Sequence, residues 1–391
     1  MAEKIKAVPV HSLGISQIIA YGSLFYVFAL LKTSIALKLN LNIEIVALTI
    51  SLSLFIHVLT SVYVGFLIDK YGGMRVMSIG LFLGSLGLMS LGVSDNLYRF
   101  IFSMALVGVS FSMASYNIAF STAIQLDDKN SRKHITMITF YGAMASSITW
   151  LIVGKILPDY GIEITCFFLS FCLFSMGAYF FINSFMKSVG NIDNSSEKFI
   201  PLKISALLAK DKKIVLVLML FGFIQYLIFT TTALSLIDYF ALKFSVYYWA
   251  VILASVYGPF QLVGRFIEMR LARKYDARNT GLVAALFIPI SLLLLFSSDF
   301  SVCLLSMALF GMSNGLLTVT NGYLPNLFFE PSVIGRIKGY VGAPTALGMA
   351  CSPFLSGLFA QNLNILLILM IFLSVIPVGS IFLLKNEKKR V

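Results

Sequence analysis

Uncharged apolar runs, each long enough to cross a membrane, recur along almost the whole chain. Residues 7–31, 45–68, 76–94, 100–126, 214–237, 300–328 and 339–384 contain no Asp, Glu, Lys or Arg. About 20 apolar residues in helix span the hydrocarbon core of a bilayer, so this pattern restricts the chain to a bundle of membrane helices. Composition agrees. Of 391 residues 59% are hydrophobic and 12% charged, whereas a soluble domain carries roughly a quarter charged. Too little charge is left to solvate a globule.

Counting runs predicts about twelve spans, near 13–37, 43–67, 75–94, 97–124, 134–157, 162–186, 213–240, 245–268, 279–298, 300–328, 336–360 and 363–384. Interior prolines such as Pro289, Pro344 and Pro353 are compatible with membrane helices. The first run is too long for a signal-peptide core and is expected to act as its own insertion signal.

The net charge of +12 follows from topology. With the N-terminus inside, 24 of the 29 Lys and Arg residues fall on the inner side. Only Lys32, Lys38, Arg99, Lys155 and Lys243 fall outside, a strong positive-inside bias. Both termini are therefore expected in the cytoplasm, and Asn194-Ser195-Ser196 on the inner side is no glycosylation site. The basic residues form no aromatic-interleaved stripe, so nucleic acid is not an expected partner. Cys166, Cys172, Cys303 and Cys351 lie in apolar runs without metal-ligand spacing. His11, His57 and His134 are scattered, and no cofactor or metal is expected. Gly154-Lys155 lacks the first glycine and the Ser/Thr of a phosphate loop, so neither an enzyme nor an ATP-driven pump is indicated.

The longest polar stretch, 187–212, divides the chain into a six-helix part at 1–186 and another at 213–391. Four short matches relate the parts in the same order. They are Gly65–Asp69 with Gly264–Glu268, Ala105–Ser110 with Ala308–Ser313, Gly14–Gln17 with Gly222–Gln225, and Tyr141–Ala143 with Val341–Ala343. Repeated halves of this kind are a transporter signature.

Two parallel six-helix halves with a cytoplasmic linker resemble the major facilitator superfamily. Its loop between helices two and three reads Gly-x-x-x-Asp-(Arg/Lys)-x-Gly-x-(Arg/Lys)-(Arg/Lys). Gly65, Asp69, Lys70, Gly72 and Arg75 fit it, and Met74 leaves one basic position empty. The residues alone suggest that Gly65 allows close helix approach and that Gly72 and Gly73 permit a tight turn. The resemblance implies that Asp69 faces the start of helix eleven near Gly335-Arg336, as part of a latch.

The resemblance also implies that helices one, four, seven and ten, with parts of two, five, eight and eleven, line a mid-membrane path. Polar residues there become candidates: Gln17, Tyr21, Ser112, Ser115, Tyr116, Asn117, Gln225, Thr232, Asn314, Thr318 and Asn321. The large amides stand out because hydrocarbon leaves them without partners. Tyr257, Gln261, Arg265 and Glu268 follow one face of helix eight. Gln261–Arg265 resembles an Asp-x-x-x-Arg element of the monocarboxylate-porter branch, without its Asp. An arginine can clamp a carboxylate, so an organic anion is the expected solute, with a proton as candidate coupling ion. An inner-boundary anchor is the alternative role for Arg265. Lys32 and Asp238 fall at nearly equivalent repeat positions and are expected to form an outer gate pair. Independent interfacial charges are the other account of them. The chain is thus expected to be a monomeric secondary transporter of a bacterial-type inner membrane. Efflux of hydrophobic compounds, or a non-transporting sensor on the same scaffold, is the alternative.

Overall fold

A computed structural model describes residues 10–127, 130–186, 209–271, 274–329 and 331–385. The described residues form an all-helical protein of twelve helices. In chain order these are α1 (Val10–Leu39), α2 (Ile43–Tyr71), α3 (Gly73–Gly92), α4 (Leu97–Leu126), α5 (131–160) and α6 (162–186). They continue as α7 (Ala209–Phe244), α8 (Tyr247–Leu271), α9 (Ala277–Leu294), α10 (Phe300–Tyr323), α11 (Pro331–Leu358) and α12 (Leu363–Lys385). Each lies within a few residues of its expected run. Of the expected linker at 187–212, residues 187–208, with Asn194-Ser195-Ser196, lie outside the described residues, and α7 begins at Ala209.

Among the described residues, ten stretches are long and apolar enough to cross a membrane. One of them, Lys133–Ser184, has 52 residues, about 78 Å of helix at roughly 1.5 Å per residue. That is twice what a bilayer needs. It divides at Gly161, whose φ of 76° lies in the left-handed region that glycine enters without penalty. Pro158 stands just before the turn.

The chain forms two compact units. One comprises residues 1–41 and 52–192, the other 42–51 and 193–391. The first turns of α2 therefore pack with the second unit. The Phe354 N–H, next to Pro353, donates to Ser51 Oγ at 2.8 Å. A side chain at Gly357 would run into Ala47.

The same joints hold each unit together. Ser110 Oγ on α4 donates to Gly80 O on α3 at 2.7 Å, and Ser313 Oγ on α10 donates to Ala284 O on α9 at 2.6 Å. Gly108 lies against the Ser53 carbonyl of α2, and Gly311 against the Tyr257 carbonyl of α8. Backbones that touch in this way leave no room for a Cβ, which is how small residues join membrane helices without a hydrophobic driving force. The Ala105–Ser110 and Ala308–Ser313 match thus carries one architecture in both units.

A second match behaves differently. Gly264 packs on the backbone of Met312, whereas a side chain at Gly65 would meet nothing within 4 Å. Gly65 is thus an exposed helix position, unlike its counterpart in the second unit. The expected turn glycine is Gly72, with φ 81° between α2 and α3.

Candidate functional site

Both helices expected to line the path in the first unit are interrupted. In α1 a π-helical turn occupies Gly22–Tyr26, closed by Val27 N–H donating to Gly22 O at 2.9 Å. The Tyr26 carbonyl there accepts from the buried Trp150 indole Nε1 of α5 at 3.0 Å. In α4 the helix breaks at Ser115, which is extended with φ −73° and ψ 174°. The break turns Ile118 N–H to Ser115 O, and Gln17 Nε2 of α1 donates to Ala114 O at 3.1 Å. Non-helical backbone at membrane depth needs such substitutes for its lost hydrogen bonds. Gln17, fully buried, thus spends its donor on the break, while its Oε1 has no partner among the described residues.

Aromatic side chains gather around these two breaks. Tyr21 meets Phe111 at 4.9 Å and Tyr116 at 4.6 Å between centroids. Phe25 stacks on Phe111 at 6.1 Å, and His57 of α2 lies 4.7 Å from the same ring. The Tyr116 hydroxyl sits where Gly142 of α5 has no side chain. Asn117, the next residue of α4, is exposed.

The second unit gathers amides and charges. On α10, Asn314 Nδ2 donates to the Tyr257 hydroxyl of α8, and Thr318 Oγ1 donates to Asn314 O at 2.7 Å and Oδ1 at 3.4 Å. One turn further, Asn321 Nδ2 donates to Gln225 Oε1 of α7 at 2.7 Å. Gln225 Nε2 and Asn321 Oδ1 are buried without a partner among the described residues. Gln261 and Arg265 are each only 4% exposed. Their backbone lies against Gly315 of α10, so α8 carries them directly along that helix. Glu268, one turn on, has no exposed surface. Its Oε1 accepts from Thr280 Oγ1 of α9 at 3.0 Å and from Thr320 Oγ1 of α10 at 3.4 Å.

Several candidates lie elsewhere. Thr232 lines a small, mostly apolar cavity between α7 and α12 with Ser235, Tyr239 and Met370. Lys32 on α1 is 4% exposed and so does not reach out to solvent, while Asp238 on α7 is half-buried. Asp69, Lys70 and Arg75 are exposed around the α2–α3 turn, with the Lys70 ammonium 5.1 Å from the Tyr71 ring centre. The side chain of Arg336, near the expected partner of Asp69, lies outside the described residues.

The sequence reading missed Gln125. Its Oε1 accepts from Gly73 N–H at 2.9 Å and its Nε2 donates to Ile68 O at 3.3 Å, so one amide from α4 holds both sides of the α2–α3 turn. Its signal was a lone amide next to a span end. Trp150 was also missed, although one of only two tryptophans in an apolar span invites a search for its N–H partner.

Among the described residues no group of three or more His, Cys, Asp and Glu could hold a metal. A family profile described as Major Facilitator Superfamily matches residues 13–288 and 214–391. No curated protein matches the sequence. Among solved structures, the nucleoside transporter NupG superposes with TM-score 0.75 at 13% identity, covering 97% of this chain and 99% of its own. A point mutant of NupG superposes with TM-score 0.77 at 12% identity, covering 96% of this chain and 98% of its own. At such identity the likeness is one of fold.

Proposed function

The chain belongs to the major facilitator superfamily, and on that premise we propose that it moves a small organic anion across the membrane by alternating access, with a proton as coupling ion. As a multi-pass membrane protein of transporter fold it needs a solute path. The observation that carries the anionic reading is Arg265, 4% exposed within a span. Ionisable residues within spans are costly, rare and commonly functional, so Arg265 is kept for a purpose. Its planar fork of donors suits a carboxylate held by two hydrogen bonds. Gln261, on the same face of α8, and the Tyr257–Asn314 pair supply neutral donors and acceptors nearby. Glu268, sealed by two threonine hydroxyls, serves as a proton carrier or gate residue alongside Asp238 and Lys32. The α2–α3 turn, held by Gln125, is the hinge that Asp69, Lys70 and Arg75 latch.

We place the two six-helix parts at 1–186 and 213–391, both termini in the cytoplasm of a bacterial-type inner membrane, and the working unit as a monomer. NupG is named for nucleosides, and a cargo is not transferred at 13% identity. A second reading, extrusion of apolar compounds, draws on the aromatic group of Tyr21, Phe25, Phe111 and Tyr116. The test is uptake of a labelled carboxylate panel into vesicles with and without an imposed pH gradient. Accumulation should depend on the gradient, and Arg265→Lys should reduce it at least tenfold. Unchanged carboxylate affinity in that variant, or efflux of lipophilic compounds alone, removes the anionic reading.

A further inference from the structure

We infer that Gln225 and Asn321 form a binding edge for a neutral amide-type group of the solute, such as a lactam or an imide. The inference rests on the transport reading above and specifies a second recognition element for the cargo. A primary amide offers two donors on nitrogen and acceptor lone pairs on oxygen. When Asn321 Nδ2 donates to Gln225 Oε1, the pair's remaining groups are a donor, Gln225 Nε2, and an acceptor, Asn321 Oδ1. Both are buried without a partner among the described residues. Exchanging oxygen and nitrogen on both amides changes which residue holds which group, yet one donor and one acceptor still remain. The edge is therefore fixed by the pairing, however the amides are oriented.

The neighbouring polar groups do not have this character. Asn314, on the same face of α10, has its nitrogen engaged by Tyr257 and its oxygen by Thr318. Gln17, which the repeat relates to Gln225, has its donor committed to Ala114 O of the broken helix α4. Of these amides among the described residues, the Gln225–Asn321 pair combines an unpartnered donor with an unpartnered acceptor in adjacent side chains. Buried polar atoms in native proteins almost always have partners, and an exception calls for a ligand, a water or a role.

The chemistry of the edge selects its ligand. A group with a carbonyl beside an N–H satisfies both atoms at once. A carboxylate brings two acceptors, so it satisfies Gln225 Nε2 and sets an oxygen against Asn321 Oδ1. The acid group of the solute thus belongs at Arg265, and the edge reads a different, neutral part of the same molecule. A pocket built to hydrogen-bond a substrate N–H rejects analogues lacking it far more strongly than an apolar pocket rejects a missing methylene.

The test uses three probes on the purified full chain in nanodiscs, titrated by saturation-transfer NMR: phthalimide, N-methylphthalimide and benzoate. The wild type should bind phthalimide at least tenfold more tightly than its N-methyl form, which lacks the only N–H. Gln225→Leu and Asn321→Leu should each erase that preference while leaving benzoate binding in place. Should these fail to fold, Gln225→Glu keeps an acceptor for Asn321 Nδ2 and turns the donor of the edge into a second acceptor; it too should erase the preference. Equal binding of the two imides by the wild type, or no binding of either, overturns the inference, and so does a preference that survives Gln225→Leu. A preference for the imide together with benzoate binding indifferent to Arg265→Lys supports the edge and removes the anionic reading. Arg265-dependent benzoate binding with no imide preference does the reverse.

Discussion

The two units share joints and differ in how they fill them. In both, a serine of the fourth helix of the half donates to a carbonyl of the third, and a glycine two residues earlier admits the second helix. Around that common frame the first unit breaks its helices and surrounds the breaks with rings. Its polar groups are largely consumed in repairing backbone, as Gln17 and Trp150 show. The second unit keeps α7 and α10 continuous, so their backbone needs no repair. Its amides Gln225 on α7 and Asn321 on α10 are then spent on each other rather than on backbone. A duplicated scaffold can thus divide labour: one copy invests polar side chains in its own distorted backbone, while the other presents them.

The largest effect should come from attacking the shared joints. Gly108→Leu and Gly311→Leu each place a side chain into a facing backbone, and overpacking without room to relax costs about 1–3 kcal/mol or more. Both variants should lose folded yield and thermal stability in detergent. Gly65→Ala is the contrast within the family motif. Its side chain meets nothing, and alanine is the better helix former by about 1 kcal/mol. Its melting temperature should be unchanged or higher; a marked drop would show that Gly65 is closely packed after all.

A next, functional effect should come from Asp238→Asn. Removing the charge should abolish uptake or free it from the pH gradient, with the folded yield preserved. Wild-type transport with wild-type pH dependence would remove Asp238 from the coupling machinery.

Smaller effects should separate repair from presentation. Gln17→Leu leaves Ala114 O without its side-chain donor, and such a loss costs about 1–3 kcal/mol. Stability should therefore fall. Gln225→Leu strands no backbone group and only the amide of the half-buried Asn321, so stability should fall less while solute recognition suffers. If Gln17→Leu left thermal unfolding unmoved, the contrast between the units would fail. Smallest of all, Trp150→Phe keeps a ring but loses the hydrogen bond to Tyr26 O, worth about 1 kcal/mol. The variant should melt a few degrees lower and transport normally.

Much of the fold was legible in the residues because a bilayer admits few solutions. Uncharged runs had to become helices, so the twelve helices and the turn at Gly72 followed from length, polarity and glycine alone. The duplicated Ala105–Ser110 pattern was legible because it encodes a backbone contact that needs small residues in both copies. Gly65 and Gly264 look equally alike in sequence, yet one is open and the other packed. A glycine reports what is possible at a position and is silent about what faces it. The candidate amides were visible as costly groups in apolar runs, but their partners were not.

Sequence by itself determined that this chain is a membrane bundle of repeated halves with a glycine-rich turn after the second helix, because burial in hydrocarbon leaves the backbone no other way to satisfy its hydrogen bonds. Tertiary structure alone decided which polar side chains are spent on that backbone and which are left over. A side chain's partner is set by the helix that packs against it, often a hundred residues away, as Gln17 and Ala114 are, and no local spacing records that meeting.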